Sequence, residues 1–162
     1  MLFGSLTETR KKNIIIFATI VFFVSVFVWA GERGTSDEAK ALLTKAIAHY
    51  KEVGRKQALD DFNSKKAPWL DRDLYVVCLD SKHTLLANGG YPQYVGTAIE
   101  DGTKAKNGKR LGQALWDAAS NAGTEVVEWV WLNPVSHNLE NKAGVAQKVD
   151  NDVACTVGWY NP

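Results

Sequence analysis

The chain has 162 residues, of which 46% are hydrophobic, and its 19 basic and 18 acidic side chains leave a formal net charge of +1. This near-neutral balance argues against a nucleic-acid-binding protein, which needs a clustered excess of Lys and Arg. The length that follows an apolar N-terminal segment suits one domain with its own hydrophobic core.

That apolar segment occupies residues 14–30, carries no charge, and follows the basic triplet at residues 10–12 after one asparagine. A helix of this length rises roughly 26 Å, at the lower end of what spans a bilayer. Because basic residues beside a span stay in the cytoplasm, we expect an exported domain. The alternative is a cleaved signal peptide, whose apolar core is usually shorter. The expected organisation is a cytoplasmic tail at 1–13, a transmembrane helix at 14–30, a linker at 31–36 and a periplasmic domain at 37–162, in a bacterial inner membrane.

The predicted anchor carries aromatic side chains separated by small ones. Small residues let membrane helices approach closely, and aromatic side chains fill the gaps beside a neighbour. We therefore expect the anchor to contact integral membrane protein subunits as well as lipid, through Phe17, Phe22, Phe23, Phe27 and Trp29.

The exported domain begins with two predicted helices. Thr35 and Glu38 occupy the positions of a capping box, and apolar residues then recur at helical spacing as far as Val53. Gly54 interrupts this pattern, and a second short helix is expected over residues 55–63.

Strands dominate the rest of the chain. We expect strands at residues 73–80, 84–88, 125–132, 143–149 and 153–160, a loop at 89–107 and a helix at 111–122. Because the strands follow one another without alternating helices, the order predicts an α+β fold with one antiparallel sheet and its helices on one face. It argues against a doubly wound nucleotide-binding fold.

The sequence offers no catalytic or metal-binding pattern. No other ligand-type residue stands at metal-ligand spacing from His49, His83 or His137 in the sequence, and motifs of the HExxH, CxxC and nucleophile-elbow types are absent. We therefore expect neither enzymatic activity nor a cofactor.

The two cysteines, Cys78 and Cys155, each lie in an apolar, strand-like run. An even number of cysteines in an exported domain permits a disulfide. Two separate buried thiols, acting as small apolar residues, are the alternative. The spacing alone leaves both interpretations open.

A set of short segments, in order along most of the chain, resembles a single Cache domain, the extracytoplasmic PAS-like module of bacterial receptors. The segments are residues 54–58, 62–63, 73–80, 86–88, 95–96, 107–109, Gly123, 128–134, Lys142 and 157–162. The resemblance implies a PAS-like antiparallel sheet of five strands behind a long N-terminal helix, which the transmembrane helix predicted from the apolar segment would precede. It also implies a pocket between the sheet and the loop-helix segment, where family members bind small metabolites, often short carboxylates.

The resemblance further implies the residues of that pocket and the fate of the cysteines. Its wall is expected among Tyr75, Tyr94, Trp116, Trp129 and Trp131, with Asn88 or Lys142 as polar contacts. The alternative is that these aromatic residues fill the core, because Val145 stands where the family usually places a pocket-side tyrosine. In a PAS-like sheet the first and last strands are neighbours, which favours a Cys78–Cys155 disulfide.

Receptors of this family continue into a signalling domain, whereas this sequence ends at Pro162. The favoured hypothesis is therefore a non-enzymatic, single-span accessory subunit of a photosynthetic or respiratory inner-membrane complex, whose Cache-like domain braces or caps the periplasmic face. The alternative is a periplasmic sensor of a small carboxylate-type metabolite, which reports to a separate signalling partner.

Overall fold

The computed structural model describes residues 33–99, 103–121 and 123–161. The expected tail and transmembrane helix lie outside these residues, as do the five anchor residues expected to contact membrane partners. Among the described residues, no helix is both long enough and apolar enough to cross a membrane. The anchor therefore stays a prediction.

Two consecutive helices open the described chain, α1 (Ser36–Val53) and α2 (Arg55–Phe62). The capping box is present, since the Thr35 hydroxyl accepts the Glu38 N–H at 3.3 Å and the Glu38 carboxylate accepts the Thr35 N–H at 2.8 Å. Gly54 separates the helices with a φ of 84°, a left-handed conformation that glycine adopts without a Cβ penalty. Because α2 starts directly after this bend, its Asp61 reaches back to His49 on α1, with Nε2 and Oδ2 2.8 Å apart.

Within the described residues, six strands form one antiparallel sheet. They are β1 (Leu70–Asp71), β2 (Leu74–Asp80), β3 (Leu85–Asn88), β4 (Val126–Leu132), β5 (Leu139–Lys148) and β6 (Val153–Tyr160). The path runs β1-β2-β6-β5-β4, and β3 also pairs with β2. The antiparallel α+β fold expected from sequence is confirmed, with the two-residue β1 added to the five expected strands.

One expected strand boundary was wrong. β5 begins at Leu139 rather than at residue 143, because the β4–β5 hairpin is paired from its tip, where Leu132 faces Leu139. The Asn133 side chain holds that tip by accepting the N–H groups of Val135 and Ser136 at 2.8 and 3.3 Å.

The sheet carries a separate apolar core on each face. On the α1 face, α1 and α2 pack against alternate strand residues such as Val76, Cys78 and Val157. On the α3 face, α3 (Leu111–Ala119) packs against the residues in between, such as Leu79 and Trp129. The expectation of helices on one face was therefore wrong. The almost unbroken burial of β2 is typical of a strand covered on both sides.

The two cysteines lie opposite each other on the neighbouring strands β2 and β6. They form a disulfide in this structure, with the sulfur atoms 2.01 Å apart, and it joins positions separated by 77 residues. Both cysteines are fully buried in the core of the α1 face. The cross-link thus lies on the opposite side of the sheet from α3.

Candidate ligand cleft

A small cleft lies between the sheet and α3 on the α3 face. Its lining residues come from α3, from five of the strands and from the loop before α3: Tyr75, Val77, Asn88, Ile99, Leu111, Leu115, Trp129, Trp131, Lys142, Thr156 and Gly158. The free volume within it is about 20 Å³. Since a single water needs roughly 10–15 Å³ of such space, the cleft is closed to anything much larger than water.

Two facing glycines lie beneath the Lys142 and Trp129 side chains of this cleft. Gly144 on β5 and Gly158 on β6 are direct partners across the strands. A Cβ at Gly158 would lie 2.7 Å from Lys142 Cε and 3.2 Å from the Trp129 ring, and one at Gly144 would lie 2.9 Å from that ring. Only the absence of both side chains lets the Lys142 stem and the Trp129 indole lie flat on the sheet.

Lys142 is the one basic side chain among the lining residues, and it is only 2% exposed. Its Nζ lies 3.8 Å from the centre of the Tyr75 ring and 4.4 Å from that of Tyr160. It donates a hydrogen bond of 3.2 Å to Tyr160 Oη. Burial lowers the pKa of Lys142 well below its ordinary value, since the ammonium loses its hydration, although the charge of Asp73 acts in the opposite direction.

The phenols beside this amine are neutral. Tyr160 and Tyr91 both donate to the Leu132 carbonyl, at 2.7 and 3.0 Å, and Tyr75 Oη lies 3.4 Å from Tyr160 Oη. Burial raises the pKa of Tyr75 and of Tyr160, because a phenolate would be desolvated there. The amine is therefore surrounded by ring faces and hydroxyls rather than by charged groups.

Two further polar groups face the cleft. Asn88 Oδ1 accepts the Tyr91 N–H at 2.9 Å, which leaves the Nδ2 amide hydrogens as donors. The Thr156 hydroxyl donates to the Val145 carbonyl at 2.8 Å, which leaves its oxygen as an acceptor. The lining thus combines an amine, an amide and hydroxyls with aromatic and aliphatic walls, and no carboxylate is among its described residues. Such a lining suits a small anion with an apolar tail.

A polar network connects this region to the start of α1. Asp73, at the beginning of β2 and 2% exposed, accepts the Gly34 N–H at 2.7 Å and an Asn133 amide hydrogen at 3.3 Å. Asn133 also donates to Glu140 at 3.0 Å, and Glu140 pairs with Arg33 at 2.5 Å. The Arg33 guanidinium lowers the pKa of the Glu140 carboxyl to about 2.

The sequence profile described as Single Cache domain 2 matches residues 29–160. The chain belongs to the single Cache domain family. No curated protein sequence matches it.

Solved structures of sensor domains have the same fold. One is a methyl-accepting chemotaxis protein from Vibrio parahaemolyticus, with a TM-score of 0.64 and 21% identity over 76% of this chain and 86% of its own. Another, described as the periplasmic sensor domain of a chemotaxis protein, gives 0.55 and 18% over 78% and 90%. A third, reported for carboxylic acid recognition by a Cache chemosensory domain, gives 0.57 and 16% over 78% and 88%. At these identities the likeness shows the fold.

The structure brings most of the residues expected at the pocket to one place in this Cache domain. Five of them line the cleft: Tyr75, Asn88, Trp129, Trp131 and Lys142. Tyr94 does not, since it is 43% exposed on a short 3₁₀ helix, Pro92–Tyr94. Trp116 does not either, because α3 presents Leu111 and Leu115 to the cleft and turns Trp116 towards Lys148, whose Nζ lies 4.8 Å from the ring centre.

The expectation that Val145 occupies a pocket-side position was wrong. Lys142, Gly144 and Ala146 are the β5 residues on the α3 face, and Val145 between them packs in the core against α1. The tyrosine missing at position 145 therefore takes no hydroxyl from the cleft. Tyr160, which is the last residue of β6 and was not predicted as a site residue, brings a hydroxyl to Lys142 instead.

Two wider grooves each share Trp131 with the closed cleft. These grooves measure about 310 and 400 Å³, and Trp131, Tyr94 and Thr103 line both of them. Trp131 also lines the cleft itself.

Proposed function

We propose that this Cache domain senses a small monocarboxylate, which binds in the cleft with its carboxylate at Lys142, and that it passes this state to a signalling partner. The observation that carries the proposal is the Lys142 amine, which is buried in an aromatic cleft among hydrogen-bond donors. A buried amine of this kind is the natural counterpart of a carboxylate, which forms its strongest hydrogen bonds with charged donors.

The rest of the lining fits the other parts of such a ligand. The Asn88 amide supplies a further donor to a carboxylate beside Lys142. Leu111, Leu115 and Trp129 supply an apolar wall for a short tail. Because the free volume is about 20 Å³, the wall must move even for a ligand of two or three carbons, and longer chains need a larger displacement.

The comparisons favour the sensor hypothesis over the accessory-subunit hypothesis. The solved structures with this fold are described as chemotaxis proteins, one as a periplasmic sensor domain and one as a carboxylic acid sensor. None of them is described as a structural subunit of a photosynthetic or respiratory complex. A non-enzymatic sensor exported across an inner membrane on its predicted N-terminal anchor agrees with these relatives.

Thermal unfolding of the full chain in mild detergent, with acetate or propionate added, tests the proposal. A ligand present at 100 times its Kd stabilises the folded state by about 2.7 kcal/mol. Acetamide and propionamide are the matched controls, since they keep the shape and lack the charge. Stabilisation by the acids and not by the amides is expected.

Two variants assign the effect to the cleft. Lys142→Met keeps the stem and removes the amine, and it should fold because a buried amine without a counter-ion is costly and an apolar group of similar length is not. It should lose the response to acetate. Lys148→Met, on the same strand but exposed, should keep it. If neither acid stabilises the wild-type chain at millimolar concentration, or if the amides act equally well, the proposed function is wrong.

A further inference from the structure

The Lys142 amine is buried without a carboxylate partner among the described residues, and this bears on how the proposed site is regulated. An ammonium taken out of water without a counter-ion is costly, and a buried lysine normally releases its proton instead. Cation–π contacts with two rings offset only part of this cost. In the described part of the chain, no carboxylate forms an ion pair with Lys142, whose polar partner is the Tyr160 hydroxyl.

The charged and titratable groups around Lys142 can be taken element by element. From the start of β2 come Asp73 and Tyr75, from β6 comes Tyr160, from the loop after β3 comes Tyr91, and on β5 itself lies Glu140, two residues away. β3, β4 and α3 present Asn88, Trp129, Trp131, Leu111 and Leu115, none of which titrates.

The two carboxylates in this set are engaged elsewhere. Asp73 accepts hydrogen bonds from Gly34 and Asn133, and Glu140 is paired with Arg33. Burial raises the pKa of the tyrosines Tyr75 and Tyr160, so neither takes up or releases a proton near neutral pH. Lys142 is therefore the group around the cleft whose protonation responds to a new charge.

We propose that binding of a carboxylate in the cleft is coupled to the uptake of one proton by the Lys142 amine. In the ligand-free protein the amine is neutral, caged by Tyr75 and Tyr160. A carboxylate that enters beside it brings the missing counter-charge, and the amine becomes an ammonium by taking a proton from solvent. The complex then holds an ion pair with no net charge, which a closed apolar cleft tolerates far better than a lone charge of either sign. This inference rests on the proposed carboxylate site.

The coupling has a fixed direction with pH. Wherever the amine is neutral without ligand and charged with it, the amine takes up one proton for each carboxylate that binds, and the Kd rises tenfold for each unit of increasing pH. The sensor thus responds to a carboxylate and acidity together, with the strongest response on the acidic side of the range. A lysine that was already charged in the ligand-free protein would give a Kd independent of pH over the same range.

Isothermal titration calorimetry of the wild-type full chain with acetate tests this at pH 7.5 and 8.5 in two buffers, phosphate and Tris, whose heats of ionisation differ widely. The expected result is a binding enthalpy that differs between the buffers by the ionisation heat of about one proton, with a roughly tenfold weaker Kd at the higher pH. Because it uses the unmodified protein, the experiment does not depend on a variant that folds.

The possible failures are distinct. Acetate binding with equal heats in both buffers and a Kd independent of pH overturns the proton coupling and leaves the carboxylate site intact. If acetate binds in neither buffer, the proposed function is wrong and the coupling is wrong with it. The Lys109→Met chain, changed at an exposed lysine paired with Asp117 at 2.7 Å, should show the wild-type buffer dependence. A loss of the dependence in that control would show that the proton is taken up outside the cleft.

Discussion

The disulfide between β2 and β6 should supply a large fraction of the stability of this domain. It closes a loop of 77 residues between Cys78 and Cys155. In the chain-entropy account, restricting a loop of that length in the unfolded chain is worth about 4.5 kcal/mol at 25 °C. Since domains are usually stable by about 5–15 kcal/mol, its removal should leave a marginal protein.

Urea unfolding of the oxidised full chain, compared with Cys78→Ala, Cys155→Ala and the double variant, measures this contribution. Either single variant already opens the loop, so each should lose about 4 kcal/mol. The second substitution should then cost only the packing of a small buried side chain, on the order of 1 kcal/mol. The effects of the two substitutions are therefore expected to be strongly non-additive.

Two outcomes would refute this reasoning. One is a double variant whose loss equals the sum of the two single losses, because independent buried thiols add in that way. The other is the titration of two free thiols in wild-type protein that has been unfolded without a reductant. Treatment of the wild type with dithiothreitol is the matched control, since it should reproduce the loss without changing the sequence.

Three further predictions concern the cleft, the start of α1 and the anchor. In Gly158→Ala the new methyl would lie 2.7 Å from Lys142 Cε and 2.8 Å from the Ala143 carbonyl oxygen. The free energy of unfolding should therefore fall by about 1–3 kcal/mol, and calorimetry should detect no acetate binding. Retained acetate binding would show that the space at Gly158 does not limit the site. Since Arg33 lowers the pKa of Glu140 to about 2 from 4.5, the stability that the pair contributes is present above pH 4.5 and lost as the pH falls towards 2. The difference in urea midpoint between wild type and Arg33→Gln should shrink over that interval, and a constant difference would contradict the assignment. A cysteine introduced at Glu32 in the Cys78→Ala/Cys155→Ala background should react with a membrane-impermeant reagent in intact spheroplasts, whereas protection there, or a mature chain that starts at Gly31, would disprove the predicted topology.

Local sequence rules predicted the parts of this fold that depend on neighbours along the chain. The Thr35–Glu38 capping box, the break at Gly54 and the long apolar strand that became β2 each follow from a few adjacent residues. The adjacency of β2 and β6 came instead from the family resemblance, because strands separated by more than 60 residues leave no local signal of which edges pair. The placement of α3 on the second face was missed for a similar reason, although the continuous burial of β2 is a signal that could have indicated it.

The cleft shows why a site is harder to predict than its fold. A shift of one residue along a strand moves a side chain to the opposite face of the sheet, and an assignment of Val145 to the pocket was wrong by that one residue. The residue on the cleft side is Gly144, which matters because it has no side chain. The register that places it opposite Gly158 on β6 cannot be read from the sequence. The chemistry of Lys142 is equally non-local. Its stem occupies the space left by Gly158, and its amine lies against the rings of Tyr75 on β2 and Tyr160 on β6. Within the part of the chain that the structure describes, it has no counter-ion because Asp73 is hydrogen-bonded to Gly34, just before α1. Each of these residues is unremarkable in sequence, and the anion site that they suggest exists only where β2, β5 and β6 bring them together.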